Sequence, residues 1–429
     1  MSDPATGLDV RPFRALTYRR RDPGHLARVS SPAYDLVSPS GRDLLAEADP
    51  HNIVRLILPR VDRPEGDPGG RSPDSVEQAA ATLRAWEREG VLERDDQPAL
   101  WVYELAPADG AAVTVGWLGA VTLPPAGSAA VLPHEDTYAP AVEGRRALLA
   151  ATATDLEPIV LAHDPEPEVA ALTARVRSVP PDLEIEDTDR VRHRLWRVTD
   201  PRVLDRVTGA LHRTGAVIAD GHHRFAAARA HSRGPAAPAG SGAVMALVTP
   251  MGPGGLRVAP IHRVVPDLDI DSALTAAGAG FELTQMPVAA DSAVADAVRS
   301  WLDDPAESGF LVTDGDRLAR LTQPTDRVRA TVPPEAPASW RGLDVVLAHH
   351  GLLEHLWHRK DDPESVLIAH GVEEALRTAK DRAGVALLLR APSPVDVAAV
   401  ARAGARMPRK STLFVPKPRT GLVLRPLAD

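Results

Sequence analysis

Apolar positions along the chain recur with two periods, and these periods sort it into helices and strands. Residues 75–89 set Val76, Leu83 and Trp86 on one side and stop at Gly90, which predicts an amphipathic helix with a glycine cap. The run Asn52-Ile53-Val54-Arg55-Leu56-Ile57-Leu58 alternates in a way that predicts a strand. Strands are also predicted over 99–105 and 113–123, with Asp109-Gly110 between them as a hairpin turn. The proline- and glycine-bearing stretch 59–73 predicts a mobile loop.

Further on, Asp200-Pro201 predicts a helix start, with Asp as N-cap and Pro at the first helical position, and that helix stops near Gly215. Gly215-Ala216-Val217-Ile218 is short and apolar and predicts a buried strand, while the Ala-rich run from Phe225 to Ala230 predicts a helix. A helix is expected around 144–152, a surface linker over 234–242, and strands over 243–248 and 256–265. The last third alternates helices, such as 289–302 and 366–380, with strands and closes on 407–427. The pattern therefore predicts an α+β protein in three regions: 1–125, a motif-bearing centre over 126–265, and 266–429.

Composition narrows the function classes. A chain of 429 residues with 44% apolar and 25% charged residues is an ordinary globular protein. A net charge of −9 disfavours a general nucleic-acid surface. The absence of cysteine removes disulfides, Cys-ligated zinc and thiol catalysis. No leader pattern opens the sequence and no long apolar run occurs in it, so a soluble cytoplasmic protein is expected.

Candidate chemistry concentrates in Asp220-Gly221-His222-His223-Arg224, between the predicted strand and the predicted helix. A strand that turns through glycine into a helix leaves backbone N–H groups unpartnered at a positive dipole end, a geometry that binds phosphate. Asp220 can instead cap the helix through the N–H of His222 or His223. The two histidines point about 100° apart on a helix, so they cannot both serve one surface. Upstream, Pro133-His134-Glu135-Asp136-Thr137 offers a general base and a magnesium ligand within a few positions, or simply caps a turn. Near the end, Met407-Pro408-Arg409-Lys410-Ser411-Thr412 and Lys417-Pro418-Arg419-Thr420 flank an apolar strand. They read either as a protected edge or as a loop, with Lys410 and Lys417, that folds over a phosphate. His350, Glu354 and His358 share one helical face at spacing four, but they alternate with Leu352 and Leu356 and read more simply as its solvated side.

The run Ala219 to Arg224 resembles the DGHHR-type signature of the ParB/sulfiredoxin-like superfamily. Over its length the chain also resembles the family called domain of unknown function 1015. The stretches that carry this are Arg11-Pro12-Phe13-Arg14, Pro32-Ala33-Tyr34-Asp35, Asn52-Ile53-Val54-Arg55, Leu132-Pro133-His134-Glu135, His193-Arg194-Leu195-Trp196, Ile218 to Arg224 and Met407 to Gly421. The resemblance implies a ParB/sulfiredoxin-like mixed α/β core with N- and C-terminal α+β elaborations, the last closing over the site. In the branch of that superfamily containing free-serine kinases, the glutamate of a Pro-His-Glu segment activates the substrate hydroxyl, and Glu135 stands in that place.

It thus implies a nucleotide-dependent phosphotransferase acting on a small hydroxyl compound, with serine or phosphoserine as first choice. ATP or ADP and Mg²⁺ would be its cofactors. Glu135 would accept the hydroxyl proton, and Gly221, His222 and the helix start would cradle phosphates. His223 and Arg224 would stabilise the transferred charge, Asp220 would orient the motif or hold Mg²⁺, and Lys410 and Lys417 would close over the site. Two alternatives use the same residues: a ParB-like regulator that senses nucleotide without turnover, and a metal-dependent phosphatase built on His134, Asp136, His222 and His223.

Overall fold

Strands Leu100–Pro107 and Thr114–Thr122 pair antiparallel, with Trp101 opposite Leu118, as the alternation of their residues predicts. Trp101, Val102, Trp117 and Leu118 are all buried, so this pair lies in the middle of a sheet and not at its edge. The computed structural model of the chain describes every residue except 1–6, 61–72, 109, 111, 236, 253, 289–292, 305, 361, 363 and 429. Most of the expected loop over 59–73, Asp109 of the expected hairpin turn and the start of the helix expected at 289 lie outside the described residues.

The chain forms two compact units, Met1–Leu256 with Pro416–Asp429, and Arg257–Val415. The expected division at 125 is not a boundary. Thr114–Thr122 pairs both with Leu100–Pro107 before that point and with Ala243–Pro250 after it, so the predicted first and second regions share one hydrogen-bonded sheet. The expected third region also loses its end, because the last fourteen residues belong to the first unit.

In the first unit the main path of the sheet runs Val131–Leu132, Ala216–Asp220, Ile159–His163, Ala243–Pro250, Thr114–Thr122, Leu100–Pro107, Val191–Val198, Leu183–Glu186. Val10–Arg11 adds to it beside Thr114–Thr122. Ala216–Asp220 is parallel to Val131–Leu132, and Ala243–Pro250 is parallel to Ile159–His163; the other pairs are antiparallel. The fold is therefore α+β with a mixed sheet. Helix Pro201–Leu211 starts as predicted, with the Asp200 carboxylate accepting from Arg202 N–H at 2.9 Å, and buries Val207, Ala210 and Leu211 in the core beneath the sheet. Helix Ala139–Thr152 packs along helix His222–Ser232, which follows Ala216–Asp220.

The second unit holds an antiparallel six-stranded sheet ordered Glu282–Met286, Leu318–Thr322, Phe310–Thr313, Val385–Leu388, His262–Val265, Leu367–Ala369. Helices Ala293–Asp303 and Val372–Asp381 put Val294, Val298, Trp301, Ala375 and Ala379 into its core.

Three predicted elements differ from what is found. Residues 52–58 are not a strand: Val54–Ile57 is a helical turn started by Asn52, whose Oδ1 accepts from Val54 N–H at 2.9 Å. Ile53, Val54, Leu56 and Ile57 are all buried, so the alternation came from Arg55 alone and marked no solvent face. The expected helix over 366–380 splits at His370-Gly371 into strand Leu367–Ala369 and helix Val372–Asp381. The expected strand over 256–265 splits around Pro260, which lacks an N–H, into Arg257–Ala259 and His262–Val265.

Candidate functional site

The first unit places Asp220 at the end of a buried strand, Gly221 at a sharp turn and His222 at the start of an eleven-residue helix. Gly221 has φ +93°, and a Cβ there would stand 2.8 Å from Ile159 Cγ2 and 3.1 Å from Arg224 Nε. Only glycine meets both conditions, because L side chains avoid this backbone region and the neighbours leave no room. No side chain caps this helix start. Asp220 therefore does not act as the cap considered above; its carboxylate turns toward cations instead.

Those cations are Arg224 and Lys417. Arg224 pairs with Asp220 Oδ2 and donates to the Pro158 carbonyl at 2.7 Å, while Lys417 Nζ lies 2.8 Å from Asp220 Oδ1 and also pairs with Asp35. Burial pushes the Asp220 carboxyl up, but the charges of Arg224 and Lys417 outweigh it and hold the group below its ordinary value. Burial likewise pulls the Lys417 ammonium down, and Asp220 and Asp35 outweigh it to hold Lys417 above its ordinary value. Three interior charges are thus fixed in their ionised forms. A magnesium ion at Asp220 does not fit this arrangement, since each carboxylate oxygen already meets a cation and the metal would add a third positive centre.

The histidines diverge, as consecutive helical residues must. His222 is buried, and its Nε2 accepts from the backbone N–H of His134 at 3.3 Å. That bond places the proton of a neutral His222 on Nδ1, which lies 4.0 Å from Glu135 Oε2. The His134 ring packs edge-on against His222 with centroids 4.6 Å apart, and His134 Nε2 lies 3.9 Å from Glu135 Oε1. Glu135 therefore stands between two imidazoles, with its side chain 31% exposed. His223 turns the other way, its Nε2 accepting from Tyr138 N–H at 3.1 Å.

The Pro133–Glu135 segment and the Asp220–Arg224 motif, 85 or more residues apart in sequence, thus meet at one helix start. Lys417 joins them from the end of the chain. Lys410 belongs to the second unit, where its carbonyl accepts from Arg263 at 3.1 Å.

Five neighbours carry part of this arrangement and had no role assigned from sequence. Asp35 shares Lys417 with Asp220, and Tyr34 N–H donates to Glu157 Oε1 at 3.0 Å. Arg145 stacks on the Tyr34 ring at 3.5 Å, and its Nη1 lies 3.7 Å from Glu157 Oε2. Thr420 also donates to Glu157 at 3.0 Å. The signal for Tyr34 and Asp35 was present in Pro32-Ala33-Tyr34-Asp35. Arg145 and Glu157 stand in stretches that nothing in the sequence marks.

Among the described residues, no helix is long and apolar enough to cross a membrane. A family model described as "Protein of unknown function (DUF1015)" matches residues 10–346. No curated protein matches the chain. Among solved structures, a free serine kinase in complex with AMP is similar at a TM-score of 0.32 and 13% identity, over 68% of this chain and 89% of that one. SbnI with a C-terminal truncation, from Staphylococcus aureus, is similar at 0.37 and 12%, over 72% and 88%. A conserved hypothetical protein from Pyrococcus furiosus is similar at 0.32 and 12%, over 67% and 87%.

Proposed function

The chain belongs to the DUF1015 family, and we propose that it is a nucleotide-dependent phosphotransferase acting on a small hydroxyl compound, with serine or phosphoserine the first pair to test. One observation carries this reading: a carboxylate, Glu135, stands beside a helix start opened by left-handed Gly221. An anion cradle and a base within one side chain's reach are the two parts that transfer of a phosphoryl group to a hydroxyl requires.

In the proposed reaction the N–H groups at Gly221, His222 and His223 receive the nucleotide's phosphates. The substrate hydroxyl oxygen attacks the terminal phosphorus, its proton passes to Glu135, and the bond from phosphorus to the leaving nucleotide oxygen breaks. Arg224 offsets the charge that develops, His223 contributes its backbone N–H while its ring is turned to Tyr138, and Lys417 keeps Asp220 ionised beneath the turn. Magnesium enters only as a partner of the nucleotide's phosphates, with no assigned ligand at Asp220. Lys410 has no part in it. The ParB/sulfiredoxin-like assignment of the first unit's core belongs to the same proposal, supported by the meeting of His134 with His222.

The test is direct. Purified protein is given serine, Mg²⁺ and ATP or ADP, and phosphoserine with nucleotide in reverse, and phosphoserine and nucleotide are followed. Glu135→Gln should lower turnover by about 10²–10⁴-fold while leaving nucleotide affinity within a few-fold. Turnover that survives Glu135→Gln sinks the proposed base. Tight nucleotide binding with no turnover on any hydroxyl compound points to the sensing regulator, and chelator-sensitive phosphate release without nucleotide points to the phosphatase.

A further inference from the structure

The segment Leu347–Leu356 in the second unit winds as a π-helix, with Trp357 N–H donating to the Leu352 carbonyl at 2.8 Å. Its inward face is Leu347, Ala348, Gly351, Leu352 and Leu353, all buried. Gly351 lets this face press against helix Asp326–Arg329, since a Cβ there would stand 2.5 Å from Val328 Cγ1. The wide turn changes what the outer face can do. In an α-helix a residue neighbours those three and four positions before it, so one five positions back falls off that face. With bonds from i to i+5 the turn takes in more residues, and positions four and five ahead bracket one direction.

His349, His350 and Glu354 occupy those positions. His350 Nδ1 lies 2.9 Å from Glu354 Oε2, and His349 Nε2 lies 3.3 Å from Glu354 Oε1. The imidazoles stand edge to face at 4.6 Å, and one donor atom from each of the three residues falls within 4.8 Å of the others. His358, which helical spacing grouped with His350 and Glu354, falls past the end of the π-helix at φ +52° and is not part of the cluster.

We propose that His349, His350 and Glu354 form a binding site for a divalent first-row transition metal, with zinc the best fit. Two imidazole nitrogens and one carboxylate make a donor set typical of zinc and its neighbours, whereas magnesium and calcium take six or more oxygens. Bonds of about 2.0–2.1 Å set tetrahedral donors about 3.3 Å apart. The two Glu354 oxygens stand 3.3 Å and 2.9 Å from the two nitrogens, and with one donor atom from each residue all lie within 4.8 Å, so side-chain rotations bring the three to that spacing. The three side chains are 17%, 22% and 43% exposed, which leaves an entry path from solvent. Three protein donors leave at least one position for water or an outside ligand, and the site owes nothing to the phosphate-binding residues of the first unit. Trp340, whose ring centroid is 5.5 Å from that of His350, supplies an optical reporter.

The experiment is a titration of the untagged full-length chain with zinc chloride by calorimetry, and with cobalt(II) by absorbance and tryptophan fluorescence. One zinc per chain should bind with a micromolar or tighter constant, and cobalt should quench a component that Trp340→Phe removes. His349→Ala, His350→Ala and Glu354→Gln should each weaken zinc binding by at least about 10-fold, and the double histidine variant should abolish it. His358→Ala should leave it unchanged, with circular dichroism confirming that every variant is folded. Binding no tighter than millimolar in the parent chain overturns the proposal, as does micromolar binding that survives the double histidine variant. Either outcome would leave Glu354 as a polar neighbour of the two histidines and nothing more.

Discussion

At the scale of single residues, the site is governed by a shared charge. Asp220 holds two cations in the interior, and its loss would leave Arg224 to the Pro158 carbonyl and Lys417 to Asp35 alone. Asp220→Ala should therefore destabilise the protein by about 3–5 kcal/mol, the usual penalty for stranding buried charge. Lys417→Met should cost less, because Arg224 still neutralises Asp220 and Asp35 remains partly exposed. Denaturant unfolding of the two variants gives the comparison, and equal losses would show that Asp220 is not the hub. The sign of the pH effect follows from the lowered carboxyl. Its stabilising contribution is complete above the unfolded value of about 3.9 and is lost as pH falls from there toward the folded value. Asp220→Asn should accordingly flatten the acid limb of the stability curve.

At the scale of elements, the second unit buries two titratable groups that act in opposite directions. His262 is buried on its strand, with Nδ1 accepting from Leu389 N–H at 3.2 Å; burial, aided by Arg263, pulls its pKa to about 4. A lowered histidine favours the folded state above 6.5 and loses that contribution as pH falls from 6.5 to about 4, which amounts to about 3 kcal/mol. Asp344 is pushed up to about 6 by burial, so its contribution is complete at low pH and is lost as pH rises toward 6. The two trends oppose each other across the same window. The two contributions should largely cancel there, so relative to the parent chain His262→Asn should tilt stability to fall as pH rises, and Asp344→Asn should tilt it to fall as pH drops. Parallel slopes in the two variants would refute this.

Elements were also where the sequence was most and least legible. Asp200-Pro201, the paired strands around Trp101 and Trp117, and the strand–glycine–helix turn at Gly221 were all readable, because each depends on local residue chemistry. Residues 52–58 were not, because Ile53, Val54, Leu56 and Ile57 are all buried and the half-buried Arg55 between them imitated a strand period. The π-helix was hidden for a similar reason. Its sequence fits an α-helical face, and only the packing of Gly351 on Val328 accompanies the wider turn that joins His349 to Glu354.

At the scale of the whole chain, the decisive fact is that the first unit is completed by residues that follow the second. Lys417 reaches Asp220, and Arg419 donates to Ser30 at 2.7 Å. Leu424 exchanges two backbone bonds of 3.0 Å with Leu16, and Arg425 meets buried Asp155 at 2.6 Å. Removing residues 416–429 would leave buried Asp155 without Arg425, at about 3–5 kcal/mol, and take Lys417 from Asp220, a combined loss that is a large share of the whole stability of about 5–15 kcal/mol of a typical domain. That truncation should abolish cooperative unfolding of the first unit. Removing far more chain should do less harm. Arg257 and Val415 are paired neighbours on antiparallel strands, so the ends of the second unit stand only about 5 Å apart. A short Gly/Ser link from Leu256 to Pro416 should therefore replace all of Arg257–Val415 and leave a first unit that unfolds cooperatively. Because the proposed phosphate cradle draws on the first unit alone, nucleotide affinity should also survive this deletion, and a folded deletion variant that no longer binds nucleotide would place an essential part of the cradle among the residues removed.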